Sequence, residues 1–187
     1  MNSSTTGKNN FRALWVGVGL CVVIATGATA GPEQDTELAE KEFARGDLMV
    51  SMALWRKAAL AGYAPAQARW GDILDKSEED KEAVDWYRKS ATQGNAAGEF
   101  GLGQMYLKGE GIEKDVEKAR TYIRLAAEKN ELPAVVMMMN AYRTGAMGLP
   151  LDSDKADEWE AKVVQLSPGY VRPQGKITEK EKKAGSK

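Results

Sequence analysis

Apolar and small residues recur along most of this chain at helical spacing. In mid-sequence Ala83, Trp86, Tyr87, Ser90 and Ala91 fall at i, i+3, i+4, i+7 and i+8, the stripe of one buried helix face. Gly94 or Asn95 follows, and either tolerates the left-handed backbone that closes a helix. A second helix is predicted from about Ala96 to Lys108, with Leu102, Met105 and Tyr106 as apolar positions. Gly98, Gly101 and Gly103 stand inside it. Each disfavours a helix by about 1 kcal/mol relative to alanine, so a gain elsewhere must offset them. Close approach of two helix backbones is such a gain. Gly98 and Gly103 are therefore expected at helix–helix contacts, and Gly94, Gly109 and Gly111 at breaks.

The same pattern is written three times. The small pairs Ala58-Ala59, Ser90-Ala91 and Ala126-Ala127 lie 32 and 36 residues apart. Four residues before the second member of each pair stand Trp55, Tyr87 and Ile123; three residues after it stand Gly62, Gly94 and Asn130. Ala66, Gly98 and Ala134 follow four further on, then Leu74, Tyr106 and Tyr142. A period of this length marks stacked helix pairs. Asp115 and Asp152 each precede a buried-face alanine by four residues, where an aspartate caps a helix N-terminus. Glu79-Asp80 is expected to act likewise ahead of Ala83. Ala156 and Trp159 begin a fourth, partial unit, and a lone second helix from about Thr36 to Arg45 precedes the first. The fold class that follows is all-α: an α-α solenoid of about three helix pairs, right-handed, with flanking helices that close the ends.

"AVDWYRKSATQG" followed by "LGQMYLKGEGIEKD" resembles the Sel-one-like repeat family, relatives of tetratricopeptide repeats. The residues that carry the likeness are Ala83, Trp86, Tyr87, Lys89, Ala91 and Gly94, then Leu102, Gly103, Met105, Tyr106, Gly109, Gly111, Ile112 and Asp115. The first copy lacks the Gly-x-Gly loop. The third has Met138-Met139 in place of Leu-Gly and a longer loop, "GAMGLPLD". The resemblance covers roughly residues 36–166. It implies a protein-binding adaptor, and it brings two alternatives: an immunity protein that neutralises a type VI secretion effector, and a β-lactam-binding or hydrolysing enzyme. The relatives tied to β-lactams carry a disulfide in each repeat, which this chain lacks.

Ahead of the repeats, Lys8 and Arg12 precede an uncharged, mostly apolar run that ends in Ala28-Thr29-Ala30. These parts make a secretory signal peptide over residues 1–30, with cleavage expected after Ala30 and a periplasmic product. The alternative is an uncleaved anchor in the inner membrane, because Ala13–Ala30 holds 18 residues without a charge. Residues 31–35 then read as a short linker, 36–166 as the solenoid and 167–187 as a basic, disordered tail. In that tail Tyr170, Val171 and Ile177 are candidates for docking back on the solenoid.

Composition narrows the chemistry. There is no histidine, and the one cysteine, Cys21, lies inside the apolar run. A histidine triad and a zinc site of the usual kind are excluded. No catalytic, cofactor or metal residue is assigned, and the acidic runs read as solvated helix starts. The tail carries six basic residues against two acids, which leaves residues 31–166 at a net charge of −7. That balance argues against nucleic acid as a partner; a membrane enters only through the leader. The expected partner is another protein. Arg56, Arg88 and Arg124 follow the buried Trp55, Tyr87 and Ile123 by one residue each. They are candidates for a basic ladder that grips an acidic partner; the competing reading pairs each with an acid of its own helix, such as Asp85 with Arg88. Trp70, Met138 and Met139 are expected in the core.

Overall fold

The structure, a computed structural model, describes residues 31–171. The expected signal peptide, and the tail from residue 172 on, lie outside the described residues. Eight α-helices follow one another without a strand among the described residues: α1 Pro32–Ala44, α2 Leu48–Leu60, α3 Ala64–Lys76, α4 Asp80–Thr92, α5 Ala96–Lys108, α6 Val116–Glu128, α7 Leu132–Thr144 and α8 Ser153–Leu166. A single 3-10 turn, Ala146–Gly148, precedes α8. The helix pairs are α2/α3, α4/α5 and α6/α7, with α1 and α8 as half-pairs at the ends. Each helix packs on its sequence neighbours, as an all-α solenoid requires.

Local chemistry sets the boundaries. Side chains of Asp47, Asn95, Asp115 and Asp152 accept hydrogen bonds from the free N–H groups of Val50, Gly98, Lys118 and Lys155, at 2.9–3.1 Å. Glu79 differs from expectation: it sits at the α4 N-cap position without a side-chain cap bond. Asn95 starts α5 rather than ending α4, and Gly94, at φ +75°, makes the break. Asn130 takes the equivalent left-handed position in the third pair at φ +66°, a conformation asparagine tolerates better than most residues. The first helix starts at Pro32, so most of the expected linker is helical. Proline fits a first helical position, and Glu33 and Asp35 suit the positive end.

The in-helix glycines stand where pairs touch. A Cβ on Gly98 would lie 2.4 Å from the Ser90 side chain, and one on Gly103 would lie 2.8 Å from Ile123 Cγ1. Tyr87 fills a slot between two glycines of different pairs: a Cβ at Gly71 or Gly101 would lie 2.8 or 2.3 Å from its ring. The core then divides into one cluster around Tyr87, Leu102 and Met105 and another around Ile123, Met138 and Met139. Both methionines are buried as expected. Trp70 is only half-buried at the edge of the first cluster, with Arg56 over its ring at 6.0 Å.

At least one polar link crosses each junction between successive pairs. Lys57 pairs with buried Asp35 at 2.8 Å, Gln93 donates to Gln67 at 2.7 Å, Lys129 pairs with buried Glu99 at 2.6 Å, and Arg143 meets buried Glu160 at 3.5 Å. Links of this kind fix register, since a shifted stack would strand a buried carboxylate at three junctions and the buried Gln67 amide at the fourth. The ends are closed by the same logic. At the N-terminal end α1 turns polar Gln34 and Glu37 to solvent. Where α4 has Tyr87, α8 has Glu160, and Tyr170 folds back to it at 3.5 Å. Tyr170 thus docks as anticipated, while Val171 stays exposed.

Candidate partner-binding faces

The second helix of each pair packs between its own first helix and the next one, and α3 also touches α1 and α5. Successive first helices do not pack on one another in this way. The stack therefore has two faces: an outer one made by α2, α4 and α6, and an inner one made by α3, α5 and α7, on which α3 and α5 meet.

The three arginines lie exposed on the outer face. Arg88 pairs with Asp85 at 2.8 Å and Arg124 with Glu128 at 2.8 Å, each inside its own helix. Arg56 leans over Trp70. The competing reading of the sequence, local pairing, is thus what Arg88 and Arg124 do. Exposed i,i+3 and i,i+4 pairs contribute only about 0.3–0.5 kcal/mol, so a partner's carboxylate can displace them. A shallow, open depression beside Arg88 is lined by Asp85, Lys89 and Thr92.

Sequence reasoning missed a second set of cations. Lys118 and Lys155, three residues after the capping aspartates, lie 5.4 and 5.3 Å over the rings of Tyr106 and Tyr142. Lys89 and Lys162, three residues after Trp86 and Trp159, lie 3.9 and 4.5 Å over those rings. The constant offsets were visible in the sequence, but nothing in one helix shows which ring a lysine will cover. These contacts close the rims of the aromatic core.

The two acids with raised pKa values belong to the second-helix side. Asp72 on α3 accepts a 2.8 Å hydrogen bond from the Tyr87 hydroxyl. Burial raises its pKa above the ordinary carboxylate value, against the opposing pull of that bond and of Arg69. Burial, then Asp72, pushes the Tyr87 hydroxyl up. Glu131, at the start of α7, is raised by burial and then by Asp72. A raised carboxylate holds its proton more tightly when folded, so stability falls as pH rises from the unfolded carboxylate pKa through the native one. Asp72→Asn is expected to flatten that slope in thermal melts across the acid range, while Asn still accepts from Tyr87. An unaltered slope would remove Asp72 as its source.

Among the described residues no group of three or more His, Cys, Asp or Glu could hold a metal, and no helix is long and apolar enough to cross a membrane. The Sel1 repeat family model matches residues 64–95 and 96–131. Residues 64–131 are Sel1 repeats. The two matched units open on α3 and α5 and close after α4 and α6, so the Sel1 frame begins on a second helix. The diverged α7 and its long loop fall outside it. A Sel1 repeat protein from Oxalobacter formigenes superposes with TM-score 0.59 at 27% identity, over 74% of this chain and 42% of its own. The protective antigen c5321 of uropathogenic Escherichia coli, which displays an SLR fold, gives TM-score 0.60 at 31% identity over 73% and 31%. A sel1 repeat protein from Klebsiella pneumoniae subsp. pneumoniae gives 0.61 at 23% identity over 73% and 68%, a likeness of fold. This chain spans less than half the length of the first two. A search of curated protein sequences returns no match.

Proposed function

We propose that this Sel1-repeat chain is an exported, non-catalytic adaptor that holds another protein in the periplasm. The supporting observation is the shape of the surface. Stacked pairs present long open faces, and the two best-formed depressions, beside Arg88 and along Asp157, Ala161 and Val164 of α8, are shallow. Such a surface suits a protein chain better than a small molecule. Export rests on the leader sequence: protein recovered from periplasm should begin at Gly31, and an intact Met1 in the membrane fraction would replace export with anchoring.

Crosslinking in periplasm, followed by pull-down and mass spectrometry, tests the adaptor reading. One or a few stoichiometric protein partners are expected; recovery of the chain alone defeats it, and nitrocefin turnover above background would make it an enzyme. A toxin among the captured proteins would select the immunity alternative. Arg56, Arg88 and Arg124 are proposed as a steering rim, since exposed charges act mainly on encounter rate. Reversing all three to glutamate is expected to weaken capture at low salt and much less at high salt, with helical circular dichroism retained. Equal capture at every salt concentration would remove the arginines from binding.

A further inference from the structure

We propose that the groove along α8 is the seat of this chain's own basic C-terminal segment, residues 172–183, which closes the last, half-finished pair of the solenoid. α8 repeats the first-helix pattern of α4: Ala156, Trp159, Glu160, Val163 and Val164 stand 73 residues after Ala83, Trp86, Tyr87, Ser90 and Ala91. In α4 the last three of these positions receive α5, since a Cβ at Gly98 or Gly101 would lie against Ser90 and Ala91 or against Tyr87. After α8 no second helix follows among the described residues. That side holds a shallow depression lined by Asp157, Glu160, Ala161, Val164 and Tyr170, with Val164 48% exposed. Spaced i, i+3, i+4 and i+7, the four α8 residues form the stripe that a helix gives to a neighbour. The other end of the stack shows no such need, as α1 turns Gln34 and Glu37 outward.

The chain is led into this groove. After α8 it turns at Ser167, whose carbonyl accepts from the Tyr170 N–H at 2.8 Å. The Tyr170 hydroxyl then reaches Glu160 at 3.5 Å and Met139 Sδ at 4.0 Å. Val171 therefore leaves from beside the middle of α8, not from its end. An extended chain covers about 3.3–3.6 Å per residue, against about 1.5 Å per residue along a helix. Arg172 is thus within reach of Asp157, one turn before Glu160, and a few more residues run the length of the groove.

Charge and polarity match along the groove. Its first half carries Asp157 and Glu160, with Asp154 one turn earlier; its second half carries Ala161 and Val164. Arg143 meets Glu160 at 3.5 Å, whereas the helix's own Lys155 and Lys162 lie over the rings of Tyr142 and Trp159. Residues 172–183 bring the complement: Arg172, Lys176, Lys180, Lys182 and Lys183 against Glu179 and Glu181, with Ile177 as the one large apolar residue. Arg172, Lys176, Lys180 and Lys183 recur at the spacing of one helix face, so they can meet the acids together. A second copy fits less well, since its α1 would bring Glu33, Glu37 and Glu40 against these acids and its α8 would set like charge on like. A tethered segment also acts at high effective concentration, which any free competitor must exceed.

The test is disulfide trapping in residues 31–187, which hold no native cysteine. Ile177→Cys is combined in turn with Ala161→Cys and Val164→Cys in the groove, and with Lys155→Cys, about half a turn round the helix from Val164. Under mild oxidation at least one groove pair is expected to close within the monomer about tenfold faster than the Lys155 pair, because docking raises the local concentration only at the seat. Closure is read as a mobility shift before reduction and by mass spectrometry of tryptic peptides. Arg172→Glu, Lys176→Glu and Lys180→Glu together, or about 0.5 M salt, should slow groove closure about fivefold, with circular dichroism unchanged. Equal closure of all pairs would mean a tail that wanders, and groove disulfides formed between molecules would mean a second copy in the seat. Either result overturns the proposal, as does charge reversal without effect. None of these outcomes touches the adaptor reading, which the pull-down decides.

Discussion

Replacing Tyr87 by alanine is expected to cost about 3–5 kcal/mol, the range for truncating a buried aromatic side chain. Its ring fills the slot between Gly71 and Gly101, on the second helices of two successive pairs. Alanine leaves both glycines facing a void, and neither has a side chain to collapse into it. The hydroxyl adds a further loss, because half-buried Asp72 would keep its carboxylate and lose a donor. Domains of this size hold about 5–15 kcal/mol in total, so the loss is a large share. In a quasi-one-dimensional stack the damage also sits at one junction. Denaturant unfolding should therefore broaden or split as the pairs on either side uncouple. Tyr87→Phe separates the contributions: it keeps the ring, and is expected to cost about 0.5–1.5 kcal/mol through the lost hydrogen bond. An alanine variant within 1 kcal/mol of the parent, still unfolding in one sharp step, would show that the slot does not couple the pairs.

The Tyr87 slot also shows what a sequence discloses and what it withholds. The buried stripe Ala83, Trp86, Tyr87, Ser90 followed directly from spacing, because a helix face is a local property. So did the helix over residues 96–108, the caps at Asp115 and Asp152 and the left-handed turns. The glycine contacts were legible as a debt in helix propensity, but their partners were not. That Gly101 meets Tyr87 while Gly103 meets Ile123 depends on how far each pair turns relative to the last. Trp70 is the instructive miss: it shares a register position with Leu102 and Met138, yet its larger ring reaches past the cluster edge and stays half-buried. Glu79 misled in another way, since a glutamate side chain at an N-cap need not bend back onto its own helix. The arginines attracted notice because they repeat in identity, whereas Asp72 and Tyr87 meet across two helices and no spacing within either one announces the bond.

Gly98→Val is the sharper test of close contact. A Cβ there would lie 2.4 Å from Ser90 Cβ and Oγ and 2.9 Å from the Ala91 backbone nitrogen. Ser90 cannot swing aside freely, because it is fully buried and its hydroxyl donates to the Ala64 carbonyl at 2.7 Å. The helix itself must move away from α4. Overpacking of this kind costs about 1–3 kcal/mol, sometimes more. Intrinsic preference points the other way, since valine suits a helix interior better than glycine does. A stabilised variant would therefore end the close-contact account, while a loss beyond 2 kcal/mol supports it. Gly103→Val should cost less, because its nearest obstacle at 2.8 Å is the side-chain atom Ile123 Cγ1 and the backbone atoms stand back at 3.2 Å. Adding Ser90→Gly to Gly98→Val should recover part of the loss by removing the atoms in the way, although the Ser90–Ala64 bond goes with them.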